Sequence, residues 1–172
     1  MANAGNGKDS GLFGKIIVVV IAALVGGLLQ YAGSSYLEGE RRYLSTKREQ
    51  LEKFYAPMEM LVRVNAKEFD RYIGANATEH DKQFIEQNIW YPNNSEIRSI
   101  IMNNGHLLDE VPEQIVDLLL HINVWLSQYE LIYVDGKEDP PVFTAQKGYP
   151  WPNDVNDYII SHAQELRSAL RE

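Results

Sequence analysis

Arg98 and His106, in the stretch "RSIIMNNGH", are the residue types that could act on a phosphodiester: a guanidinium to hold the phosphate and an imidazole to move a proton. They stand eight positions apart, and Gly105 between them is a helix-ending residue. A second chemical signal is the pairing of aromatics with Pro and Asn in "IWYPNN" and "GYPWPND". Trp and Tyr stack on planar rings, and Asn amides donate and accept along a base edge. The first of these clusters, Trp90 and Tyr91 together with Arg98, Asn103, Asn104 and His106, is the candidate ligand site. The competing reading has the same rings capping the ends of a helical bundle with their polar tips in water.

Other chemistries are excluded or find no motif. The chain has no cysteine, which removes thiolate nucleophiles, thiolate metal sites and disulfides. His80, His106, His121 and His162 are separated by 15 or more residues, so no metal is expected. His121 reads as a hydrogen-bonded core histidine. No phosphate-cradling glycine loop, no G-x-S-x-G and no H-E-x-x-H occurs, and no cofactor is expected. Small helical ribonuclease domains place an arginine and a histidine close together. A spacing of eight exceeds theirs, which makes a membrane-tethered ribonuclease an alternative rather than the first reading.

The elements that must carry these residues are helices. The run Ile16 to Leu37 holds 22 residues without a charge, enough for the ~20 that a hydrocarbon layer of roughly 30 Å demands. It reads as an uncleaved anchor over 12–37, behind a small polar tail over 1–11. A signal peptide trimmed near Ala32-Gly33-Ser34 is the rival. Arg41, Arg42, Lys47, Arg48 and Lys53 follow the span closely, whereas only Lys8 and Lys15 precede it. This bias predicts a C-terminal domain over 38–172 in the cytoplasm, on a single-pass membrane protein. Within the span Ala23, Gly27, Gln30 and Ser34 share one helical face, where small residues and a polar side chain favour self-association, so the partners expected are the lipid bilayer and further copies of the chain.

Beyond the span, Leu44, Leu51, Phe54, Tyr55, Met58, Leu61 and Val62 recur at helical spacing, with Pro57 predicting a kink near Tyr55-Ala56. Thr78 reads as the cap of a helix to Ile89, "WYPNNS" as a loop, and Asn94 or Ser95 as the cap of "EIRSIIMNN". Pro112 opens the most apolar helix, and Pro152 opens the last. The expected fold is all-α, a bundle of four or five helices behind the membrane helix. Charge is graded: 41–71 carry 8 basic and 5 acidic residues, net +3, and 72–172 carry 6 basic and 16 acidic, net −10. So acidic a body argues against bulk DNA or RNA as a partner.

A membrane helix with a small helical body resembles the small membrane effectors of bacterial anti-phage defence. The stretches that carry the likeness are "EKFYAPMEMLV", "IWYPNNSEIRSIIMNNGHLLDEVPEQIVDLLLHINVW" and "GYPWPNDVNDYI". In layout the chain is similar to the type III CRISPR-associated membrane effector activated by cyclic tetra-adenylate. It also resembles the membrane protein that accompanies an RNA-guided RNase and carries a degenerate helical ribonuclease domain. The resemblance implies an oligomer, not an enzyme, whose soluble part binds a cyclic nucleotide second messenger and whose helices disrupt the membrane or open a pore. A non-enzymatic membrane scaffold or phage-exclusion protein is the further alternative.

Overall fold

The computed structural model describes residues 9–135 and 149–171, with side chains from Leu24 onward apart from Val25, Leu28, Leu29 and Ala32. The described residues are all-helical, without a strand. Clustering of contacts separates two compact units, Met1–Ser45 and Thr46–Glu172.

The first unit is the greater part of α1 (Asp9–Gln50), which begins inside the segment expected to be a tail. Among the described residues no helix is long and apolar enough to cross a membrane. Much of the expected 12–37 span, Ala23 included, falls on positions whose side chains lie outside that description. Gly27, Gln30 and Ser34 are exposed on α1, and the Ser34 hydroxyl donates to the Tyr31 carbonyl at 2.9 Å. Such back-bonding satisfies a hydroxyl within its own helix.

The second unit is built on four long helices with a short one between. After α1 come a π-helical turn at Leu51–Tyr55 and α2 (Ala56–Tyr72); then α3 (Glu79–Ile85), a second π-helical turn at Glu86–Trp90 and α4 (Tyr91–Asn104); then α5 (Glu113–Tyr133) and α6 (Val155–Ala169). The two π-turns share a cause. Each closes with an i→i+5 bond, Ala56 N–H to Leu51 O and Tyr91 N–H to Glu86 O, and each has a proline two residues past its end, Pro57 and Pro92. A proline has no N–H to give, and its ring clashes with the carbonyl four residues back, Lys53 or Asn88; widening the turn relieves both problems. The kink expected at Tyr55-Ala56 is therefore a bulge, and the backbone at both residues stays right-handed helical. The same geometry corrects the reading of "WYPNNS" as a loop: Pro92 sits in the first turn of α4, and the helix runs on through Asn93, Asn94 and Ser95.

A wider turn also advances each residue by a smaller angle, so two neighbours can face inward together. Phe54 and Tyr55 are both buried in the first π-turn, as are Ile85 and Glu86 where the second begins. Thr78 caps α3 through a reciprocal box with Asp81. The core packs Phe54, Met58 and Val62 against Ile97 and Ile101 of α4, Ile115, Leu118 and Ile122 of α5, and Val155, Ile159 and Ala163 of α6. Gln50 Nε2 donates to the Leu107 carbonyl at 2.7 Å, which ties the end of α1 to the turn after α4.

On the α2–α6 side Glu59 accepts from Arg63 Nε at 3.0 Å and meets Arg167 Nη2 at 2.7 Å. Burial pushes its carboxyl up, but the hydrogen bonds and charges of the two arginines outweigh burial and hold it below its ordinary 4.5. A carboxyl lowered on folding stabilises the native state above 4.5, and that stability is lost as pH falls through the folded value. Glu59→Gln is expected to cost on the order of 1 kcal/mol at neutral pH. The gap in melting temperature between the two proteins should close on acidification below 4.5.

Candidate functional site

α2, the second π-turn, α4, α5 and the start of α6 with the residues before it line a half-open cavity of about 540 Å³. Its walls are aromatic, from Phe69, Trp90, Trp125, Tyr129, Tyr133 and Trp151, so every tryptophan of the chain faces it. Spacing explains the α5 wall: Trp125, Tyr129 and Tyr133 recur every four residues and fall on one helical face. Trp125 stacks on Tyr129 with centroids 5.4 Å apart, and Tyr129 meets Tyr133 at 4.7 Å. Trp90 stands edge-on to Trp125 at 6.5 Å and lies 4.8 Å from Tyr72. The π-turn puts Glu86 and Trp90 on this wall together.

Polar groups in the wall are placed by hydrogen bonds rather than left to solvent. Glu86 is 9% exposed, and its two oxygens accept from Tyr72 Oη and Tyr133 Oη, each at 2.7 Å. Burial and then the bond to Glu86 push both phenols well above the usual tyrosine range, so they remain protonated donors at neutral pH. Buried Asn65 donates to Asn94 Oδ1 at 3.0 Å and accepts from Asn93 Nδ2 at 2.8 Å, which fixes an amide row along α2 and α4. Trp151 Nε1 donates to Asn156 Oδ1 at 3.3 Å, and its ring meets His121 edge-on at 5.2 Å. His121 Nδ1 lies 2.9 Å from the Tyr149 carbonyl. Burial lowers the pKa of this imidazole, an effect that the backbone carbonyls of Tyr149 and Pro150 oppose only in part. The core role expected for His121 is what its burial shows, and its ring also forms part of the cavity wall.

Of the residues picked from sequence, Trp90 lines the cavity, whereas Tyr91, Arg98, Asn103, Asn104 and His106 do not. Tyr91 stacks on the outer side of Tyr129 at 4.3 Å. Arg98 and His106 are exposed, on α4 and on the turn after it; Asn103 bonds Ser99 Oγ at 3.1 Å, and Asn104 is half-buried at the end of α4. The six do not assemble into one site, because "WYPNNS" is helix and carries its side chains around a helical circumference. No His, Asp or Glu cluster able to hold a metal occurs among the described residues.

What sequence reasoning passed over was the ring series of α5 and Glu86, which carries no motif. Three carboxylate or amide residues of the wall, Asn65, Glu86 and Asn94, are buried polar groups at positions that sequence alone gives no reason to bury. No protein-family model, curated protein or solved structure matches the chain.

Asn65→Ala leaves the Asn93 and Asn94 amides without their partner. It is expected to lower stability by about 1–3 kcal/mol in a urea titration. His121, whose folded pKa is depressed below 6.5, favours the native state above that value and progressively less as pH falls through its folded value. His121→Gln should therefore flatten the loss of stability measured between neutral and mildly acidic pH.

Proposed function

We propose that this chain is a membrane-tethered receptor in which the helical body binds a small molecule in the aromatic cavity and α1 passes the response to the bilayer. The observation that carries the reading is the cavity itself: about 540 Å³ of concave space, mostly aromatic, with a few hydrogen-bonded polar groups converging on it. That is the make-up of a small-molecule site. Such a ring-lined space in a body of this size is more than a bundle needs for packing, since protein interiors otherwise close to crystal-like density.

The membrane part rests on the uncharged run Ile16 to Leu37 within a single helix, Asp9–Gln50. The basic residues that follow set its orientation, with the body in the cytoplasm of a bacterial cell. Gly27, Gln30 and Ser34, with Ala23, give α1 a face for packing against other copies. α1 enters the first π-turn directly, and π-turns are frequent at functional positions in helices. Ligand binding would act by favouring one of two arrangements of an oligomeric helix cluster, which perturbs the membrane in the manner of an anti-phage effector.

For a cyclic oligoadenylate the lining accommodates adenine by stacking, whereas among the described residues no Lys or Arg lines the cavity to meet a phosphate. The ribonuclease reading gains nothing comparable, because Arg98 and His106 are both exposed and neither touches the cavity.

The test is fractionation and membrane potential in bacteria expressing the full chain. The protein should resist carbonate extraction, and Leu24→Arg, which costs about 2.5–3.5 kcal/mol at the centre of a span, should shift it to the supernatant. Induced depolarisation should disappear in Trp125→Ala while that variant stays in the membrane. A wild-type protein found wholly in the soluble fraction would end the membrane reading.

A further inference from the structure

Resting on the cavity being a ligand site, we infer that its ligand is an organic cation: a compact molecule bearing a quaternary or protonated amine, held over the Trp90–Trp125–Tyr129 rings and drawn by Glu86 and Asp70. Three independent observations on the wall point the same way. Among the described residues its charged groups are carboxylates, Glu86 buried within it and Asp70 at an exposed position on α2, and no Lys or Arg lines it. Its faces are aromatic, with indoles the strongest partners for a cation among side chains, and Trp90 stands nearly perpendicular to Trp125, on which Tyr129 is stacked. Tyr133 of the wall donates to Glu86, as does Tyr72 outside it, which pushes electron density into the Tyr133 ring and deepens the negative potential over its face.

The amide row Asn65–Asn94, with Gln128, adds acceptors for an N–H on a protonated amine but no fixed positive charge for an anion. A phosphate or carboxylate ligand would face two carboxylates, with no Lys or Arg among the described lining residues to offset the repulsion. A neutral apolar ligand would leave Glu86 and Asp70 without a role in recognition.

The experiment uses the full chain in nanodiscs of phosphatidylethanolamine and phosphatidylglycerol, so that no lipid headgroup carries choline. Because all three tryptophans line the cavity, intrinsic tryptophan emission reports on its occupancy. Choline, its uncharged carbon analogue 3,3-dimethylbutan-1-ol and adenosine monophosphate are titrated separately. The expected result is saturable quenching or shift by choline, about tenfold or more weaker with the neutral analogue and absent with the nucleotide. Trp125→Ala should abolish the response. Glu86→Gln should weaken it severalfold, and Asp70→Asn, at an exposed position that leaves the fold untouched, should do so to a smaller degree.

Equal or tighter binding of 3,3-dimethylbutan-1-ol, or binding of adenosine monophosphate in place of choline, overturns the cation assignment and leaves the cavity as a receptor site for another class. No change with any of the three overturns the cation assignment as well. The receptor reading is then judged separately, by whether Trp125→Ala removes depolarisation in cells.

Discussion

The Glu86 carboxylate, held between two phenols, is the constraint on which the cavity depends. Taking a carboxylate out of water costs several kcal/mol unless its oxygens find donors. Here one donor comes from α2 and one from α5, at 2.7 Å each, so the cost is met only when both helices hold their positions against the second π-turn. Charge-assisted O–H bonds to a carboxylate are short and directional. They set the separation of Tyr72 from Tyr133, and with it the opening between α2 and α5 into which Trp90 and Trp125 project. Replacing the three side chains by hydrophobes would fill the space and close it. The polar network keeps a hollow where apolar packing would make a solid core.

The two π-turns allow such a network to coexist with an intact core. At 85–86 the core residue Ile85 and the network residue Glu86 are consecutive, and both point inward. In a regular helix neighbours diverge by about 100°, and the wider turn narrows that angle. The first π-turn does the same for Phe54, which packs in the core, and Tyr55, whose hydroxyl lies 3.0 Å from that of Tyr158 and whose ring stacks on His162. In both places a proline shortly afterwards makes the wide turn the less strained choice.

Most of the helical body was legible in the sequence, because periodic apolar residues and caps act locally: Thr78 with Asp81, Gly105 after α4, Pro112 before α5 and the Val155–Leu166 stripe are each recognised within a turn or two. "WYPNNS" misled because Pro and Asn are turn formers in isolation, whereas here Pro92 lies in a continuous helical run and the π-turn before it absorbs the missing N–H. The site was hardly legible. Trp90 could be singled out by type, but Glu86 becomes meaningful only when α2 and α5 bring tyrosines to it from 14 and 47 residues away. Arg98 and His106 drew notice for their chemistry, yet helix geometry turns both toward solvent. Buried polar networks are assembled by tertiary contacts, and no local pattern announces them.

The prolines after the π-turns also limit how the chain can drift. A π-turn is one surplus residue in an α-helix, a wrinkle that can in principle creep along the rod by swapping one hydrogen bond at a time. Pro57 and Pro92 have no hydrogen to swap, so neither wrinkle can travel past them toward the C-terminus. Each is pinned where it presents two adjacent side chains to the interior. Even if thermal motion loosens the surrounding turns, the register of Glu86 and Trp90 against the facing helices is kept.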